Sequence, residues 1–265
     1  MSSIAAIGNL SLDRVGEAPP RPGGAAFYSA NALATIVADA HIAASCAVAD
    51  RPQFAGAFEA FGLPVRWYPS EATTAYSFHY EGDRRIMQQE AVGDPWSPER
   101  SVEAAGDALW VHVGALVRTD FSAETLGALT AGGRRLLVDA QGLVRTAALG
   151  PLRMDGQIGD VLRHVSILNL NEEEAETLVG GVNADRLRSL GVPEVLLTLG
   201  SQGAVVVTEE AAERIAAIEL ASWVDPTGAG DTFSAGYLAA RAAGAEPVEA
   251  ARSATENVAS FLSSR

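Results

Sequence analysis

The sequence predicts an α/β fold: a doubly wound, mostly parallel sheet with a small β lid. Three observations lead there. Short apolar runs alternate with helix-length segments along nearly the whole chain. Those runs are apolar throughout, as strands covered on both faces must be. One segment breaks the rhythm with strict period-2 alternation, the signature of a hairpin outside the main sheet.

In order, Ile4–Ile7 is a short apolar run that ends in Gly8-Asn9. Gly23–Asp39 reads as a helix entered through a glycine turn, followed by a strand at Ile42–Val48, a helix at Pro52–Phe61 and a strand at Val65–Tyr68. Thr73–Gln89 alternates around Glu81-Gly82-Asp83, so a hairpin is expected there, placed as lids often are. Further strands are expected at Ala108–Val113, Arg135–Asp139, Val165–Leu168, Val195–Leu199 and Ala204–Val207. Helices are expected at Ala123–Thr130, Glu172–Val179 and Asp185–Leu190, with a last one carrying Asn257. The 265 residues suit a single domain over 1–265, with the lid hairpin at about 73–89 inserted in it.

Composition removes several function classes. The formal net charge of −14 speaks against non-specific nucleic-acid binding, which needs clustered cations. All 19 basic residues are Arg. Without Lys there is no P-loop, no protein-kinase strand lysine and no Schiff-base chemistry. Cys46 is alone, in an apolar run, and reads as a buried structural thiol. Asp39 and His41 interrupt the longest apolar region before it reaches a membrane span, so a cytoplasmic protein without membrane partners is expected.

The chemistry concentrates in Asp225-Pro-Thr-Gly-Ala-Gly-Asp-Thr-Phe233. A glycine-rich turn feeding a helix leaves backbone N–H groups pointing outward at the positive end of the helix dipole. Such a nest can hold phosphate without Lys. Asp231, at the helix start, is placed to take a proton from a hydroxyl aligned with that phosphate. The plainer alternative is a turn with Asp231 as its N-cap.

This run resembles the C-terminal D-x-T-G-A-G-D-x-F motif of the ribokinase-like (phosphofructokinase-B) carbohydrate kinases. Gly8-Asn-Leu-Ser-Leu-Asp13, Pro22-Gly-Gly24, Asn171-Glu-Glu-Glu174 and Thr198-Leu-Gly-Ser-Gln-Gly203 resemble the family's other motifs, in order. The resemblance implies an ATP-dependent kinase acting on a hydroxyl of a small sugar, inositol-like polyol or nucleoside. Asp231 would be the base, and the N–H groups of Gly228, Ala229 and Gly230 an anion hole. Thr227, Thr198, Gly200, Gly203 and Asn257 would line the ATP site. Asn171 and Glu174 would organise Mg²⁺ and phosphate, Glu174 indirectly, and Asp225 is a candidate ligand of a monovalent cation. Asp13, Gly23, Gly24 and Asn9 would hold the acceptor. The hairpin would exclude water as a lid, and a homodimer is a candidate assembly.

The sequence also departs from that family. Many members carry an Asn where Tyr28 stands, so sugar specificity does not transfer. The excursion Arg14–Pro22 looks too short for the extra strand pair of larger members, which makes the lid look reduced. Val138-Asp-Ala-Gln-Gly-Leu-Val-Arg145 follows a strand and resembles the D-x-Q-G-x-x-R stretch of inositol- and nucleoside-kinase-like branches, so Gln141 and Arg145 are candidate substrate contacts. His112 reads as a satisfied strand histidine, and one of Arg84 and Arg85 should face the site. Two rivals stay open: a silent sugar- or nucleotide-binding protein of the same fold, and a vitamin-precursor kinase.

Overall fold

The computed structural model describes residues 3–36, 39–81, 84–220 and 224–264, with side chains at all of them except 80, 81, 84 and 85. The first part of the chain forms β1 (Ile4–Asn9), β2 (Ser11–Val15), β3 (Arg21–Gly23), α1 (Ala25–Ile36), β4 (Ala40–Ala47), α2 (Arg51–Phe61) and β5 (Val65–Ser70). Next come β6 (Thr74–Glu81), β7 (Arg84–Ala91), α3 (Pro98–Ala105), β8 (Trp110–Gly114), α4 (Ala123–Thr130), β9 (Arg135–Asp139), α5 (Gln141–Val144) and β10 (Gly150–Pro151). The rest forms β11 (Ile167–Asn171), α6 (Glu172–Val179), α7 (Ala184–Arg188), β12 (Glu194–Thr198), β13 (Ala204–Val207), β14 (Ala212–Ile215), α8 (Ala229–Ala242) and α9 (Pro247–Ser263).

The main sheet has the order β14-β13-β12-β11-β9-β8-β1-β4-β5. It is parallel from β12 to β5, and β13 and β14 add an antiparallel edge. Its inner strands are mostly apolar on both faces because helices cover both. Ile4 and Ala6 join the core under α1, α8 and α9, whereas Ala5 and Ile7 join the one under α3, α4 and α6. The strand order reverses between β1 and β8, and in open α/β sheets ligands bind beyond the carboxyl ends of the strands at such a point. Glycine permits the close packing there. A Cβ on Gly8 would stand 3.0 Å from the carbonyl carbon of Gly114, and one on Gly114 would stand 2.8 Å from the Ala26 amide at the head of α1.

The lid is fuller than a hairpin: it is a five-stranded sheet ordered β10-β7-β6-β2-β3. The reading of Arg14–Pro22 as too short for a strand pair is therefore corrected. β2 begins at Ser11, two residues after β1 ends, and pairs antiparallel with β3 (Asp13 opposite Arg21) and parallel with β6 (Asp13 beside Tyr76). β2 thus draws hydrogen bonds from β6, a distant stretch of chain, and β3 draws its own from β2. The tip of the hairpin, Gly82-Asp83, and the facing of Arg84 and Arg85 lie outside the described residues.

Other boundaries move as well. α1 starts only after Gly24, whose φ of 99° turns the chain into it. α3 was not anticipated, although Ser97 caps it by accepting from the Arg100 N–H and Pro98 opens it. No helix among the described residues is long and apolar enough to cross a membrane.

Candidate active site

The candidate site begins at the head of α8. Gly228 occupies the N-cap position with φ +84°, a left-handed conformation that favours glycine. The first intrahelical bond runs from the Thr232 N–H to the Gly228 carbonyl at 2.9 Å. The N–H groups of Gly230 and Asp231 have no backbone partner among the described residues, so they point out of the helix end. Ala229 was expected to add its N–H to this nest. It donates to the Pro226 carbonyl at 2.9 Å instead, because the 226–229 turn closes on itself.

Asp231 lies in the first turn of α8. Its carboxyl is pushed up to about 7, first by burial and then by the Asp139 carboxylate, with Glu174 adding to the effect. His112 and Arg145 pull the other way. A carboxylate that ionises near neutrality suits proton acceptance from a hydroxyl.

Two contacts join the opposite side of the crevice to this turn. The Tyr28 ring packs on Gly228, where a Cβ would stand 2.7 Å from the ring's Cγ. Tyr28 is buried and meets Phe27 edge to face. Arg21 on β3 places its guanidinium 3.5 Å from the Asp225 carboxylate. Beside Arg21, Asp13 accepts from Ser11 Oγ at 2.9 Å. Gly23 makes room for it, since a Cβ there would stand 2.9 Å from the Asp13 Cγ. A Cβ on Gly24 would stand 3.0 Å from the Asn9 carbonyl oxygen. Asn9 is fully buried, accepting from Trp96 Nε1 at 2.9 Å and donating to the Asp94 carbonyl at 3.2 Å. The structure thus gives Asn9 a scaffolding position, holding the 94–96 segment.

Arg145 links the lid sheet to the heads of α6 and α8. Its guanidinium lies 5.9 Å from the Tyr76 ring centre on β6 and acts electrostatically on Glu174 and Asp231. Asn171 and Glu174 form a capping box at the head of α6, with Glu174 Oε2 3.0 Å from the Asn171 N–H. Asn171 stands beside Thr198 in the β11–β12 register, and Thr198 Oγ1 donates to the Leu170 carbonyl at 3.3 Å. Gly200 and Gly203 turn the chain after β12 with φ of 56° and 91°. Gln141 opens α5, at the end of β9. Asn257 is less aligned with expectation: its Nδ2 is buried against Gly236 in the seam between α8 and α9, two turns along from the nest.

These side chains treat the two implied metals differently. Among the described residues, no three His, Cys, Asp or Glu groups are arranged to hold an ion. Glu174 suits an outer-sphere role toward a Mg²⁺ carried mainly by phosphate oxygens and water. The monovalent cation does not fit Asp225 and Thr227. Asp225 Oδ1 already accepts from the Thr227 N–H at 3.0 Å and the Thr227 hydroxyl at 2.6 Å, and Oδ2 faces Arg21.

With this geometry in place, comparison with known proteins identifies the lineage. The model of the pfkB family of carbohydrate kinases matches residues 6–263. The chain belongs to the pfkB family. That family is one of carbohydrate kinases. A nucleoside kinase of Methanocaldococcus jannaschii is 33% identical over 82 residues, covering 31% of this chain and 27% of that protein. A ribokinase of Staphylococcus aureus is 32% identical over 102 residues, covering 35% and 33%. The matches therefore span about a third or less of those relatives. A solved pyrophosphate-dependent kinase of the ribokinase family, complexed with a pyrophosphate analogue and myo-inositol, superposes with a TM-score of 0.85. It is 21% identical, and the match covers 98% of this chain and 94% of that one, a likeness of fold.

Within this pfkB-family fold, sequence reasoning overlooked Arg21, whose ion pair with Asp225 joins β3 to the motif turn. It also overlooked Asp120, which is fully buried and accepts from the Leu116 N–H at 2.8 Å and the Val117 N–H at 3.3 Å. Burial pushes Asp120 up to about 7 against those two hydrogen bonds. His112 matches its reading, since both ring nitrogens have partners, although one of them is a carboxylate. Cys46 is buried, and burial raises its thiol to about 11.

Proposed function

We propose that this pfkB-family chain transfers the γ-phosphoryl group of ATP to a hydroxyl of a small polyol, sugar or nucleoside. The observation that carries the reading is Asp231 beside the outward N–H groups at the head of α8, with Tyr28 packed on Gly228 and Arg21, the strand partner of Asp13, paired with Asp225. Asp13 would orient the acceptor, because a carboxylate can accept from two vicinal hydroxyls. Asp231 would then accept the proton of the attacking hydroxyl as the new O–P bond forms and the bond to the leaving ADP breaks. The Gly230 and Asp231 N–H groups and the α8 dipole would take up charge on the transferred phosphoryl, with Arg145 closing the site from the lid side. Glu174 and Asn171 would orient the phosphate chain, and bound Mg²⁺ would neutralise phosphate charge during transfer. The lid would exclude water, the competing acceptor.

A second donor has a specific observation behind it. The solved neighbour named above uses pyrophosphate, and the nest reads phosphate rather than a nucleoside. The deciding experiment incubates the protein and Mg²⁺ with ATP or pyrophosphate against a panel of polyols, sugars, nucleosides and vitamin precursors. Acceptor-dependent release of ADP or phosphate, lost in Asp231→Asn, supports the proposal. Ligand binding without any release would favour a silent binding protein.

A further inference from the structure

Beneath Asp231 runs a buried chain of polar groups that the transfer step does not use. Ser29 Oγ on α1 lies 2.6 Å from His112 Nδ1 on β8, and His112 Nε2 lies 2.5 Å from Asp139 Oδ2 on β9. Asp139 Oδ1 accepts from Ser234 Oγ on α8 at 2.7 Å and from Asn169 Nδ2 on β11 at 3.1 Å. Asn169 Nδ2 also reaches Ser234 Oγ at 2.9 Å. His112, Ser29 and Ser234 are 0% exposed and Asp139 4%. Ser234 follows Asp231 by three residues on the same helix, so the two share a face.

A buried ion pair adds little stability over well-packed apolar residues, and the strand residues beside this one, Val111, Val113 and Val138, are apolar. Its value lies in what it does to a neighbour. The charged groups facing Asp231 are Asp139, His112, Arg145 and Glu174; those facing His112 are Asp139 and Asp231, with Ser29 as a neutral partner. We propose that His112 and Asp139 are positioning residues for Asp231, an imidazolium–carboxylate pair that ties the start of α8 to the sheet and fixes the pH range in which the base is ionised. The pair's charges are consistent with this. Burial pushes His112 down, but the Asp139 carboxylate outweighs it and the imidazole ends raised. Burial pushes Asp139 up, and His112, Ser234 and Asn169 more than reverse it.

This inference rests on Asp231 being the base, and its test separates the two claims. The first measurement needs no substrate: the imidazole resonances of the protein's four histidines are titrated by NMR. His112 should stay protonated above the ordinary value of about 6.5 and lose that in Asp139→Asn. A neutral His112 at pH 7 in the unaltered protein overturns the proposal even if no acceptor is ever found. The second is the pH profile of kcat/KM. His112→Gln removes the cation and leaves Asp139 unbalanced, so the acid limb should move up by about one pH unit. Asp139→Asn removes the negative charge that acts most strongly on Asp231 and releases the imidazole proton, so the limb should move down. Ser234→Ala changes no charge and should leave the limb in place. Shifts of the same sign in the two charge variants, or none in His112→Gln, would overturn the proposal, because a merely structural role moves both alike.

Discussion

The aromatic ring of Tyr28 lies against the backbone of Gly228, so the helix on the acceptor side is packed directly onto the turn that would hold the phosphoryl group. A side chain at 228 would collide with the ring and would also sit at φ +84°, which costs a non-glycine residue about 1–2 kcal/mol. Gly228→Ala should therefore reduce kcat/KM by about 10²-fold or more, the scale of losing an anion-hole donor. Adding Tyr28→Ala should recover only part of it, since the backbone strain stays. Full recovery in steady-state assays would show that the ring contact alone matters.

Asp231→Asn should lower turnover by about 10²–10⁴-fold while donor binding persists in calorimetry. It should also stabilise the fold at alkaline pH. The folded carboxyl ionises near 7 against an ordinary 3.8, so its contribution to stability is complete at low pH and is lost as pH rises through about 7. Thermal melts should place the Asn variant above the parent at pH 8, with the gap closing at pH 4.

Arg145→Met removes the cation that faces Tyr76, Glu174 and Asp231. Because Arg145 holds Asp231 down, the acid limb of the pH–rate profile should move to higher pH. Donor KM should rise by about tenfold or more, the scale of a lost charge-assisted contact.

Arg21 already faces the carboxylate that a monovalent cation would need. Turnover should therefore be equal in potassium chloride and tetramethylammonium chloride at matched ionic strength. Potassium stimulation of the parent protein would mean that Arg21 yields its place.

Glu194 accepts from Tyr237 at 2.6 Å and from Arg241 at 2.7 and 3.1 Å, tying α8 to β12, with the Arg241 and Glu194 side chains each 13% exposed. Arg241→Met leaves that carboxylate uncompensated and should cost about 3 kcal/mol in urea unfolding. Activity per folded molecule should hold, because the cluster lies beyond the nest.

What the sequence made legible was local. The turn before α8, the capping box at Asn171 and Glu174, and helices such as Ala123–Thr130 depend on neighbours within four residues, so their signals sit in a short window. The helix at Pro98–Ala105 had the same kind of signal in Ser97-Pro98 and went unread. The lid strands were not legible, because Arg21–Gly23 is held by Ser11–Val15, and Ser11–Val15 is held in turn by the distant β6. Nor was the Ser29–His112–Asp139–Ser234 chain, whose members are scattered from α1 to α8 and meet only in the folded sheet. Ala229 shows a finer limit: residue type announces a nest, but which amides stay outward depends on how the turn closes.

The step from β1 to β2, with only Leu10 between them, has a mechanical side. Asp13 rides on the lid sheet, whereas Asp231 is anchored to the main one. Any tilt of the lid would therefore carry the Asp13 carboxylate with it, and under the proposed function a hydroxyl compound held there would travel as cargo toward a stationary base. In the proposed reaction the lid would be a carriage as well as a cover, with the one-residue link between β1 and β2 keeping its stroke short.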